Sequence, residues 1–184
     1  MTHKRFRRRG PIARRAQGGW GVMDLLLGLL IAIVLSAAGY AIYKTTTGTA
    51  KGNAESDALV QAVSAIQAKC QSAGSYGTNG YNLAQCLYRA QKVPAGWTAV
   101  SATVINNSYG QPVNMLSTGT GFTVSDPGLP QDACHDVAIG NLFNSSGTTL
   151  GINGGAAISG TVSDSNTSSC TSGNTNTLLY TFAY

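Results

Sequence analysis

Residues Leu25–Tyr43 carry no charged side chain, and every fold open to this chain must accommodate them. As a helix rising about 1.5 Å per residue, nineteen residues just cross a bilayer core of roughly 30 Å. Tyr40 and Tyr43 fall at the far end, where amphipathic rings favour a membrane interface. A single carboxylate, Asp24, stands at the near lip, preceded by Gly18-Gly19-Trp20-Gly21-Val22-Met23.

Charge is distributed unevenly around this run. Seven of the twelve Lys and Arg residues (Lys4, Arg5, Arg7, Arg8, Arg9, Arg14 and Arg15) precede Trp20. Beyond it, five cations face seven carboxylates, leaving the body at −2. The high pI therefore describes the head and not the body, whose scattered Lys and Arg form no basic patch interleaved with aromatics. No nucleic-acid partner is expected. The basic head reads as a polar, cytoplasmic n-region, and the excess of cations ahead of the run places the N-terminus inside.

Three readings of the run are open. It can be a plain signal anchor, or a secretory signal cut after Ala38, where Ser36-Ala37-Ala38 supplies small residues. Nineteen apolar residues exceed the usual h-region of roughly 7–15. The third reading turns on Asp24. A carboxylate in a lipid-embedded helix costs about 2–3 kcal/mol at mid-helix and less near the interface, so it is best explained by a partner cation.

Gly19-Trp20, followed by Asp24 and an apolar helix, resembles the N-terminus of a type IV prepilin. The resemblance implies that a prepilin peptidase cuts after Gly19 and methylates the new α-amine of Trp20. The fifth mature residue of that family is acidic, usually Glu; here it is Asp24, which keeps the charge one methylene shorter. The long leader and the large aromatic at the first mature position resemble the type IVb group, and look closest to the major pilins of thin conjugative pili. The implied role of Asp24 is to neutralise the Trp20 amine, in its own chain or a neighbour's, inside a bundle of like helices, because pairing removes much of the cost of a buried charge. Gly21, Gly28, Ala32, Ser36 and Gly39 would let such helices approach closely.

Beyond Tyr43, the Thr- and Gly-rich stretch Lys44–Asn53 is poor helix. On the pilin reading the first helix runs through it, and it would be the place where that helix loosens in a filament. Helical periodicity returns over Glu55–Gln71, with Leu59, Val63, Ile66 and Cys70 on one face and Glu55 and Asp57 in the first turn. A second short helix over Tyr81–Gln91 aligns Leu83, Cys86, Leu87 and Ala90, with Asn82 as cap and Pro94 as stop. Strands are expected at Trp97–Ile105, Val113–Leu116 and Gly121–Ser125, and turns at Asn106–Gly110 and Asp126-Pro127-Gly128. A helix is expected over Leu129–Ile139. Residues 141–184 read as a polar edge with short strands at Leu142–Asn144, Ala156–Ser159 and Leu178–Tyr184.

The four cysteines, Cys70, Cys86, Cys134 and Cys170, are an even set behind an export-type N-terminus, which favours disulfides; none sits in the close pairs of a zinc site. Cys70 and Cys86 occupy core-facing helical stripes and are expected to pair. Cys134 and Cys170 would then pair with each other, and the segment between them resembles the disulfide-bounded C-terminal region of type IV pilins. Gly128–Cys134 (Gly-Leu-Pro-Gln-Asp-Ala-Cys) and Leu179-Tyr180-Thr181-Phe182 also resemble that subfamily.

No catalytic constellation stands out. His135 is the one histidine beyond the leader, and Asp132 and Asp136 beside it read as a solvated helix edge, so neither metal nor cofactor is expected. Asn106, Asn144 and Asn166 begin N-x-Ser sequons of the kind an Asn/Ser-rich chain contains by chance.

The expected architecture is α+β, a type IV pilin fold: a long N-terminal α-helix packed on an antiparallel β-sheet, with a disulfide-bounded C-terminal region. Residues 1–19 would be the removed leader, 20–54 the transmembrane and assembly helix, and 55–184 the globular head. The expected function is structural and not enzymatic: a major type IVb pilin that enters the inner membrane, meets the prepilin peptidase and the pilus assembly machinery, and polymerises with itself into a thin extracellular filament for conjugative mating or adhesion. The alternatives are a minor pilin or pseudopilin of a secretion or pilus machine, a membrane-anchored adhesin domain that never polymerises, and an exported enzyme.

Overall fold

Helix α1 runs without interruption from Val22 to Lys69. The computed structural model describes residues 22–140 and 147–183. These fall into two units divided between Ile42 and Tyr43. The threonines and glycines of Lys44–Asn53 are helical, as expected of a first helix that continues through them. Their intrinsic penalties are below about 1 kcal/mol each, small enough for committed helix on either side to override.

In the second unit, the stripe Ala58, Leu59, Ala62, Val63 and Ile66 of α1 is buried in the core. Gly52 lies nearly two turns before it, where an added Cβ would sit 3.6 Å from the Ala133 backbone. The chain then forms α2 (Ala84–Arg89). Asn82 does contribute to its start, since its side-chain oxygen accepts from the Ala84 N–H at 2.9 Å. The helix stops short of Pro94: Ala90 ends it and Gln91 takes a left-handed φ of 53°.

Seven strands make one sheet among the described residues: β1 (Thr98–Ser101), β2 (Val104–Asn106), β3 (Pro112–Ser117), β4 (Phe122–Leu129), β5 (Thr148–Ile152), β6 (Ile158–Ser159) and β7 (Asn176–Phe182). Their order is β1-β2-β3-β4-β7-β5-β6, and every pairing is antiparallel. Helix α3 (Gln131–Ile139) follows β4, as expected, and a single turn of helix, α4 (Asp164–Thr167), precedes β7.

Strand alternation sets the core. Val113, Met115 and Ser117 of β3 point inward, as do Phe122, Val124 and Asp126 of β4 and Leu178, Tyr180 and Phe182 of β7. Phe122 stacks on Phe182 with ring centroids 4.6 Å apart and meets Tyr76 at 4.9 Å.

Three expectations need correction. Trp97–Ile105 is a tight hairpin of β1 and β2 and not one strand, because Ala102 and Thr103 turn the chain. Asp126-Pro127-Gly128 does not reverse the chain; β4 continues through it as a bulge, with the register shifting between Asp126 and Leu129. Gly128 supplies the φ of +77° the bulge requires, and the absent N–H of Pro127 is tolerated there. Finally, β7 lies inside the sheet, between β4 and β5, and not at a polar edge. The Ala156–Ser159 strand is reduced to β6, and Leu142–Asn144 lies outside the described residues.

Candidate functional site

The described apolar side chains in the first half of α1 have no protein cover. Leu29, Leu30, Ile31, Ile33, Val34 and Leu35 are each between 50% and 66% exposed. At 100° per residue, these neighbouring positions occupy every side of the helix, so its whole perimeter is apolar. Ser36 does not break that surface, because its hydroxyl donates back to the Ala32 carbonyl at 2.7 Å. A helix apolar on all sides requires lipid or other helices around it. Among the described residues no helix is long and apolar enough to cross a membrane. Within Leu25–Tyr43 the side chains described are Leu26 and residues 29–37, about half of the run. Gly19 and Trp20 lie outside the described residues; Asp24 is part of α1, and its side chain lies outside them.

Both disulfides are present as expected. Cys70 at the end of α1 joins Cys86 of α2. Cys134 of α3 joins Cys170, just before β7, and Gln131 Nε2 donates to the Cys170 carbonyl at 3.2 Å beside it. No cysteine is free.

The sequence reading missed a buried acidic cluster where α1 meets the sheet. Glu55, read as a helix-start residue, is fully buried. Its Oε1 accepts from the Trp97 indole N–H at 2.6 Å and its Oε2 from the Ser108 N–H at 3.0 Å. Asp126 is also fully buried and lies against Glu55. Its Oδ1 accepts from Asn107 Nδ2 at 2.7 Å, while Oδ2 receives no donor. Asn107 is held in turn: it donates to the Pro127 carbonyl and accepts from the Tyr109 and Gln111 N–H groups. Burial, then the Glu55 charge, pushes the Asp126 carboxyl well above its ordinary value of 3.8. Burial and the Glu55, Asp126 and Asp136 carboxyls push the Tyr109 phenol up to about 12. Tyr180 is raised as well, by burial and then by Asp126. One signal in the sequence could have revealed this cluster: Asp126 continues the inward register of Phe122 and Val124.

The remaining polar residues are not drawn together. His135 is 3.7 Å from Asp164 and 3.9 Å from Asp136 at a solvent-exposed edge. No group of three metal-ligating side chains occurs among the described residues. Asn106 donates to the Gly110 carbonyl, Asn166 forms the capping box of α4 with Ser163, and Asn144 lies outside the described residues.

A helix apolar on every side, a second unit in which that same helix lies against an antiparallel sheet, and a disulfide-bounded region, Cys134–Cys170, that carries β5 and β6 together make the architecture of a type IV pilin. The chain belongs to the PilS family: the family model described as PilS N terminal matches residues 34–183. Among solved structures, the crystal structure of type IV b pilin from Salmonella typhi matches with a TM-score of 0.52 and 19% identity, over 74% of this chain and 99% of that one. The fold is thus that of a type IVb pilin. No curated protein matches the sequence.

Proposed function

We propose that the chain is the major structural subunit of a type IVb pilus, polymerising with itself through the N-terminal half of α1 into a thin extracellular filament used for conjugative mating or adhesion. The observation that carries this reading is the uncovered apolar perimeter around Leu29–Leu35, in a chain of the PilS family. Before assembly that surface would be covered by inner-membrane lipid. After assembly, neighbouring copies of the helix would cover it. Residues 1–19 would be removed by the prepilin peptidase between Gly19 and Trp20, leaving a methylated Trp20 amine. Asp24 would neutralise that amine on its own or an adjacent subunit, so that the helix carries no unpaired charge into the bundle and neighbouring helices are held at one stagger. The assembly machinery of the inner membrane would be the further partner, and no enzymatic step is assigned to the chain.

Mass spectrometry of the mature N-terminus tests the reading. Methylated Trp20 is expected. A mature chain beginning at Gly39 would mean secretion, and an intact Met1 a plain anchor; either result overturns the proposal. Asp24→Ala protein is expected to be processed at Gly19 yet to yield no sheared fibres, and normal fibres from it would remove the charge-pairing argument.

A further inference from the structure

The acidic cluster plays no part in the function proposed above. Two carboxyls from different elements, Glu55 of α1 and Asp126 of β4, meet with no water-accessible surface on either. Their hydrogen bonds divide them. Glu55 receives two N–H donors, one on each oxygen, which suits a carboxylate. Asp126 receives one donor on Oδ1 and none on Oδ2. An ionised Asp126 would leave Oδ2 unsatisfied beside a second negative charge; a protonated one can donate from Oδ2 toward Glu55. Among the described residues, the groups around the pair provide no compensating cation. Tyr109 comes from the β2–β3 turn, Asp136 from α3 and Tyr180 from β7, and Trp97 contributes a neutral N–H. His135, on α3, is engaged with Asp136 and Asp164 at the exposed edge, and neither Glu55 nor Asp126 has a salt bridge among the described residues.

We propose that Glu55 and Asp126 form a one-proton latch that fastens α1 to the sheet and slackens as that proton is lost with rising pH. The closed state is the neutral Asp126 carboxyl donating to the Glu55 carboxylate, with Trp97, Ser108 and Asn107 holding the two groups in register. Loss of the proton places two like charges beside each other in the core, one on α1 and one on β4. The strain falls on the helix that links the membrane segment to the head, so the head grips its helix most firmly in acid.

The sign follows from proton counting. Above about pH 4 the unfolded chain has released the Asp126 proton, while the folded chain keeps it. The contribution to stability is therefore fully present below the ordinary value of 3.8 and is lost as pH rises toward the elevated folded value. Across that window one proton is linked to folding, so the unfolding constant should rise about tenfold per pH unit.

The test is urea unfolding of the full-length protein in detergent between pH 5 and 8, with wild type and Asp126→Asn compared at each pH. Asn keeps the acceptor for Asn107 and replaces the acid O–H with an N–H facing Glu55. The ratio of wild-type to variant unfolding constants should climb about tenfold per pH unit until the folded group titrates, whereas substitution of the exposed Asp57 by Asn should leave the wild-type slope unchanged. Parallel wild-type and Asp126→Asn profiles would overturn the latch. If Asp126→Asn does not fold, infrared spectroscopy of the Asp24→Asn protein decides the matter. A carboxylic-acid C=O band persisting at neutral pH supports the shared proton, and a spectrum showing carboxylates alone refutes it.

Discussion

Removing the two disulfides separately should cost unequal amounts, and the structure sets the order. The Cys70–Cys86 bond closes a sequence separation of 16 and the Cys134–Cys170 bond one of 36. Loop-closure entropy in the unfolded chain then assigns about 3 kcal/mol to the first and about 4 kcal/mol to the second, a difference of about 0.7 kcal/mol. Burial widens the gap. Cys134 is fully buried and Cys170 nearly so, whereas Cys70 and Cys86 are only partly covered. Replacing Cys134 and Cys170 by Ala therefore also removes packed sulfur atoms from beneath α3, adding a cavity cost that the α1–α2 staple does not share. The assay is urea unfolding of Cys70→Ala/Cys86→Ala and Cys134→Ala/Cys170→Ala full-length proteins in detergent, followed by near-UV circular dichroism. Both variants should show steeper denaturant dependence, because an uncrosslinked unfolded chain exposes more surface. The second should be the less stable by at least about 0.7 kcal/mol. A costlier loss at Cys70–Cys86, or a loss below about 1 kcal/mol at Cys134–Cys170, would refute the assignment of stability to loop closure and burial.

Three further outcomes are expected. Gly121→Ala should destabilise the head by about 1–3 kcal/mol, because the new Cβ would run into the Phe182 carbonyl oxygen at the β4–β7 pairing; a neutral result in thermal unfolding would show that the two strands can part there. Asn176→Ala should cost about 2 kcal/mol or more and open the 171–175 loop to protease, since this buried side chain accepts from Thr171 and Asn153 and donates to the Leu129 and Thr171 carbonyls. Protection equal to wild type would contradict it. Spectrophotometric titration should find one phenol ionising near pH 12 that Tyr109→Phe removes; because that hydroxyl has no partner, the substitution should cost less than about 1 kcal/mol.

The parts legible in the sequence are those written in local pattern. The stripe Leu59-Val63-Ile66 marks its own helix face, and the uncharged run marks a segment needing apolar company. The cysteines on helical stripes identified their partners because each stripe had one inward side. What escaped was decided at long range. Asp126-Pro127-Gly128 carries every local mark of a turn, yet the pairing of β4 with β7 on one side and β3 on the other holds it in line. Residues 141–184 are polar enough to suggest an edge, but alternation in β7 hides Leu178, Tyr180 and Phe182 while leaving Leu179 and Thr181 outward. Glu55 reads as an ordinary first-turn acid until Trp97, 42 residues away, is seen to donate to it.

The place of β7 in the sheet governs the order in which the molecule can close. Strands β1 to β4 form a meander of near neighbours, and β5 pairs with β6, but the two groups share no ladder except through β7. Phe182 pairs with Phe122 on one side and with Thr148 on the other, joining residues 60 positions apart in sequence to residues 34 apart. A chain threading outward from its N-terminus thus presents β4 with an open edge until residue 182 has followed. Helix α1 comes first along the chain and the strand that completes the sheet comes last. Until β7 arrives, the unpaired N–H and C=O groups along that side of β4 are open to pairing with another chain.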